Sequence, residues 1–160
     1  MVITFCGHRD VQKPQMVKAW LNEVVEGLIL EGASCFYLGG CGQFDALAAA
    51  VVQEQKKQYP QICSVLVLPY LDRPLDAAGY DERIYPPLEN VPRRFAIVRR
   101  NEYMVDMADA VIAFVVHRFG GAYRTLCYAK RKHKRVIQYT VDKDAIGSAA
   151  AFLDDDASMS

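Results

Sequence analysis

Ser34-Cys35-Phe36-Tyr37-Leu38-Gly39-Gly40-Cys41-Gly42 decides how this chain folds: a short apolar run drives into a turn holding three glycines, and an alanine-rich stretch follows at once. An apolar run of that length reads as a strand, and glycine at its end lets backbone come close to whatever lies beyond it. The same grammar occurs twice more. Val2-Ile3-Thr4-Phe5-Cys6 runs into Gly7-His8-Arg9, and the apolar run over 110–116 leads to Gly120-Gly121-Ala122-Tyr123-Arg124-Thr125. A strand passing through glycine into a helix brings backbone N–H groups up to an anion, usually a phosphate.

Working outward, strands are expected over 2–6, 34–38, 62–68, 110–116 and 135–139. Helices are expected over 14–31, 42–58, 92–108 and 122–133, the first and third opened by Pro14 and Pro92. In the first helix Val17, Leu21, Val24 and Leu28 fall along one face. The 62–68 run is apolar apart from Ser64, as a strand covered on both faces should be. Alternation of strand and helix implies an α/β, Rossmann-like three-layer fold: a mainly parallel five-stranded sheet with helices on both faces. Ligands in such folds sit at the carboxyl ends of the strands, where all three glycine turns fall. The proline- and tyrosine-bearing stretch 69–91 reads as a long loop of the kind that serves as a lid or binding loop. One domain over 1–140 is expected, followed at 141–160 by a short helix and an acidic tail.

Composition excludes more than it selects. The 160 residues are 52% hydrophobic and 24% charged, and Lys+Arg balance Asp+Glu at 19 each, so net charge points to neither nucleic acid nor a membrane surface. Five cysteines without a C-x-x-C spacing fit neither a disulfide framework nor a zinc site, and call for no metal or cofactor. No apolar stretch is long enough to cross a bilayer, and a cytoplasmic protein is expected. The basic run Lys130-Arg131-Lys132-His133-Lys134-Arg135 sits at a helix C-terminus, where cations offset the dipole in water. A nucleic-acid patch is therefore disfavoured.

The candidate chemistry lies in the turns. Arg9 presents a planar fork suited to phosphate, and His8 can donate a hydrogen bond or titrate near neutrality. Gly7, Gly39, Gly40 and Gly42 allow close backbone approach. Asp45, in the first turn of its helix, either complements the dipole or accepts a ribose hydroxyl. Gly120 and Gly121 supply amides, with Arg124 and the Thr125 hydroxyl as further donors. Of Arg99 and Arg100, only one can face a pocket.

Taken in order, these motifs resemble the SLOG superfamily, which includes the Lonely-Guy phosphoribohydrolases and the DNA-processing DprA proteins. The stretch from Arg100-Asn101-Glu102-Tyr103-Met104 through Ala108-Asp109-Ala110 to Gly120-Gly121 and Thr125 is similar to the Lonely-Guy pattern. Phe5-Cys6-Gly7-His8-Arg9 is similar to the start of a smaller SLOG branch. The resemblance implies that Arg100 stands for the family's catalytic arginine. It also puts Tyr128 where the family has its catalytic glutamate, and a phenol near pKa ~10 cannot serve as a base at pH 7. Asn101 replaces the family lysine, and no proline precedes Gly120.

The resulting expectation is a small-molecule binder that senses or sequesters a nucleotide or nucleotide-derived phosphorylated ligand. Two alternatives stand beside it: a nucleoside 5′-monophosphate phosphoribohydrolase using Asp45 or Glu102 as a relocated acid, and a DprA-like nucleic-acid-binding module. Pairing into a homodimer is compatible with the resemblance.

Overall fold

The computed structural model describes residues 1–72 and 77–141. The expected C-terminal helix and acidic tail lie almost wholly outside the described residues. The chain order is β1 (Val2–Gly7), α1 (Pro14–Leu30), β2 (Cys35–Leu38), α2 (Gly42–Gln58), β3 (Cys63–Val67), β4 (Glu82–Ile84), a 3-10 turn (Arg93–Phe95), α3 (Ala96–Met107), β5 (Ala110–Phe114), α4 (Gly120–Arg131) and β6 (Arg135–Gln138).

The six strands form one sheet in the order β4-β3-β2-β1-β5-β6, and every neighbouring pair is parallel. From β1 the chain steps outward through β2, β3 and β4, then returns to place β5 on the other side of β1. Strand order therefore reverses between β1 and β5, which is where an open α/β sheet parts its loops.

The sheet is the α/β arrangement the sequence implied, with one strand more. The added strand, β4, comes from the stretch expected to be a long loop. It is held by the one polar residue of β3: the Ser64 N–H donates to Asp81 Oδ2 at 2.8 Å, and the Asp81 N–H donates to Ser64 Oγ at 3.1 Å. Glu82-Arg83-Ile84 is a short, largely exposed edge and shows no alternation to betray it. The third helix also begins later than expected, because Pro92 opens a 3-10 turn before α3.

Helices α1 and α2 pack together beneath one face, α3 and α4 beneath the other. The first layer is dry: Val17, Leu21, Val25 and Leu28 of α1 meet Phe44, Ala48, Val51 and Val52 of α2 over Ile3, Phe5 and Phe36. Val25 lies at the centre of the α1 stripe and Val24 at its flank. Opposite, Val105, Leu126 and Ala129 cover Val111 and Ala113. Burial of some thirty apolar side chains supplies the main driving force of folding. Among the described residues no helix is long and apolar enough to cross a membrane.

Candidate functional site

A cavity of about 440 Å³ opens at the carboxyl edge of the sheet, over the reversal between β1 and β5. That volume lies in the range of small-molecule sites. Its walls are the β1 end (Gly7, His8, Arg9, Asp10), the start of α2 (Cys41, Asp45), one face of α3 and the β5–α4 connection (His117, Gly120, Gly121).

Arg100 forms the floor. It is 2% exposed, and its Nη1 donates to the carbonyls of Gly39 at 2.8 Å and Val67 at 2.9 Å. Its Nε donates to Asn101 Oδ1 at 2.9 Å, while Nη2 has the Cys41 sulfur as its one hydrogen-bond partner among the described residues, 4.0 Å away. The guanidinium thus ties together the ends of β2 and β3 beside the cavity. Arg99 turns outward into an ion pair with Glu102.

Asp45 stands across Gly39 from this guanidinium: a Cβ built on Gly39 would lie 3.1 Å from Asp45 Oδ2 and 3.3 Å from Arg100 Nη2. The Cys41 N–H donates to Asp45 Oδ2 at 3.1 Å. Burial pushes the Asp45 carboxyl up from 3.8 to about 6, against the downward pull of that N–H and of Arg100.

The folded state therefore binds the Asp45 proton more tightly than the unfolded chain does. The contribution of Asp45 to stability is greatest below pH 4, falls as pH rises between 4 and 6, and is level above that. Two pKa units amount to about 3 kcal/mol, reduced to roughly 1–2 kcal/mol by water on the cavity side. Asp45→Asn should raise Tm by about 3–6 °C at pH 7.5 and leave it unchanged at pH 4. Equal melting shifts at both pH values would contradict this.

His8 is buried, and its Nε2 accepts from the Val116 N–H at 2.9 Å. Its Nδ1 therefore carries the proton of a neutral ring. Burial and the neighbouring His117 both push it below its ordinary 6.5. Arg9, by contrast, is exposed on the cavity wall, and no carboxylate among the described residues pairs with it.

The two helix starts at the cavity differ. At α2 the first amides are engaged: Cys41 N–H with Asp45 and Gln43 N–H with the Arg9 carbonyl at 2.8 Å. At α4 no side chain caps the helix, and among the described residues no acceptor outside it takes the N–H of Gly120, Gly121 or Ala122. Gly120 holds φ +88°, a left-handed conformation that costs glycine nothing, and no atom lies within 4 Å of where a Cβ would be. The positive end of α4 faces open space beside the cavity.

Eight of the sequence-derived candidates line this cavity: Gly7, His8, Arg9, Asp45, Arg100, Gly120, Gly121 and Thr125. Four do not. Gly39 is beneath the floor, its carbonyl taken by Arg100, and Gly40 and Gly42 shape the turn, with Gly42 packed under the Arg9 backbone. Arg124 is exposed and turned away, because Gly121 and Thr125 already occupy the inward face of α4 and a neighbouring residue sits 100° around it. Thr125 lines the wall, yet its hydroxyl donates to the Gly121 carbonyl at 2.9 Å rather than standing free as a donor.

Residue reading missed Asp10, Ile97, Asn101, Met104 and His117 as wall residues. A signal for three of them was present: Ile97, Arg100, Asn101 and Met104 follow the i, i+3, i+4, i+7 spacing of one helical face. None of the described residues of 69–91 lines the cavity.

Neither Tyr128 nor Glu102 lines the cavity. The Tyr128 hydroxyl donates to Asp106 at 2.8 Å, and burial with this bond pushes it up to about 12. The basic run is largely engaged: Lys134 Nζ donates to the Asp106 carbonyl, Lys132 lies 4.0 Å from the Asp106 carboxylate, and Arg135 grips Glu31 through two bonds. All five cysteines are free thiols.

No protein-family model and no curated protein matches the chain. Solved structures do. The crystal structure of the protein TM1055 superposes with a TM-score of 0.59 at 15% identity, over 84% of this chain and 71% of that one. DNA processing protein A from Helicobacter pylori, described for its single-stranded DNA binding mode, gives 0.56 at 15%, over 89% and 67%. Its counterpart from Streptococcus pneumoniae gives 0.60 at 16%, over 96% of this chain and 56% of that protein's length. The mostly parallel α/β, Rossmann-like fold expected from the sequence is the fold these structures share. At these identities the likeness is one of fold.

Proposed function

We propose that the protein binds a nucleotide or nucleotide-derived phosphorylated ligand in this cavity and acts as a sensor or sequestering protein. One observation carries the reading: the first amides of α4 and the guanidinium of Arg9, neither engaged by another of the described residues, border the same cavity at the strand-order reversal. Amide N–H groups at a helix start and a planar arginine fork are complementary to phosphate. Asp10 and Asp45, also on the wall, are acceptors for sugar hydroxyls. A wall carrying both signs suits a ligand with an anionic end and a hydroxylated middle.

Calorimetry with AMP, ADP-ribose and NAD tests this. At least one should bind, and Arg9→Ala should weaken it about ten-fold or more, the usual size of a lost charge-assisted bond. No heat from any of the three would overturn the proposal.

A second reading, hydrolysis of a nucleoside 5′-monophosphate, is favoured by Asp45 alone. Its carboxyl lines the cavity and titrates at about 6, where a group both takes and returns a proton readily. Release of free base from AMP, lost in Asp45→Asn, would select that reading over simple binding.

A further inference from the structure

Four aromatic rings form a line from the core to the surface beside the cavity. Phe114 of β5 meets His8 edge-on, with centroids 6.0 Å apart at 78°. His8 stacks on His117 at 3.7 Å and 12°, and His117 stacks on Phe119 at 3.8 Å and 21°. A ring has two faces, so His117 is sandwiched and Phe119 keeps its outer face bare. That residue is 68% exposed.

The line is pinned rather than loose. His8 Nε2 takes the Val116 N–H at 2.9 Å, and His117 Nδ1–H donates to the Phe119 carbonyl at 3.1 Å. Phe119 is also out of place by the ordinary rules of sequence. It is the N-cap of α4, a position that favours Ser, Thr, Asp or Asn because their side chains bond the first free amides. Here the cap leaves those amides open and offers water a flat apolar face. Both departures occur at one residue, at the edge of one cavity: His117 and Gly120 on either side of it belong to the wall.

We infer that the outer face of Phe119 is the nucleobase subsite, with the phosphate of the same ligand held at the Gly120–Gly121 amides. This deepens the nucleotide-binding reading and rests on it. The platform and the amides are consecutive residues, with Cα atoms about 3.8 Å apart, so a single mononucleotide can engage both. Stacking uses the π-face that every base presents, so this subsite selects ligands that carry a base over bare sugar phosphates. It does not by itself distinguish one base from another.

AMP and ribose 5-phosphate, titrated into the wild-type protein and into Phe119→Ala and Phe119→Trp, separate the possibilities. The wild type should bind AMP about ten-fold or more tighter than ribose 5-phosphate, the size expected of one base stacked on an aromatic side chain. Phe119→Ala should remove most of that advantage while leaving ribose 5-phosphate within about two-fold, and Phe119→Trp should keep it. An exposed side chain can be changed without unfolding the chain, which the melting curve of each variant would verify. Equal wild-type affinities for the two probes, or a Phe119→Ala loss shared equally by both, would overturn the subsite and leave the phosphate site standing. Binding of neither probe by the wild type would overturn both.

Discussion

Arg100→Met should cost the fold about 3–5 kcal/mol, the largest loss expected from any single wall residue. Methionine keeps most of the volume, so the loss isolates the hydrogen bonds. Without the guanidinium the carbonyls of Gly39 and Val67, at adjacent strand ends, lose the donor that holds both. A buried polar group left unpaired costs about 1–3 kcal/mol. Asp45 would also lose its compensating positive charge and be pushed still further above its ordinary range. For a chain of this size the change corresponds to a Tm drop of about 10 °C or more. A drop of under about 3 °C in a thermal melt would show that the clamp contributes little.

Gly7→Ala is expected to be nearly as damaging, for a steric reason. A Cβ at position 7 would stand 2.1 Å from Phe44 Cδ1 and 2.3 Å from its Cγ. Phe44 has nowhere to retreat: it is fully buried, with the rings of Phe5 and Phe114 at 6.5 and 5.6 Å. Overpacking of this kind costs about 3 kcal/mol. Denaturant unfolding would measure it, and Phe44→Leu in the same chain should recover part of the loss, since the two changes share one contact. A cost below about 1 kcal/mol for Gly7→Ala would mean that the ring gives way freely. The glycine of the Gly-His-Arg turn therefore serves packing at least as much as ligand approach.

These cases show how far residues alone can be read. The start and end of α2 were legible because Gly42 and Tyr59-Pro60 bracket a continuous helical stretch. The central strands were legible because they are covered on both faces. β4 was not, since an exposed three-residue edge carries no hydrophobic period, and its anchor, Ser64 with Asp81, is a contact between residues far apart in the chain. The cavity was legible in outline, because strand ends followed by glycine mark its rim. Its polarity was not. Arg124 and Thr125 both carry the right chemistry, but α4 turns the first away, and the second spends its proton on its own helix. His117 had no local signal at all; its place depends on a ring stack built from β1 and the β5–α4 connection.

Backbone amide spectra of the isotopically labelled protein, recorded while AMP is added, test the central claim most directly. The account predicts saturable shifts that are largest at Gly120, Gly121 and Ala122, with smaller ones around Gly7–Arg9. Shifts confined to Lys130–Arg135, or spectra unchanged at millimolar AMP, would contradict it.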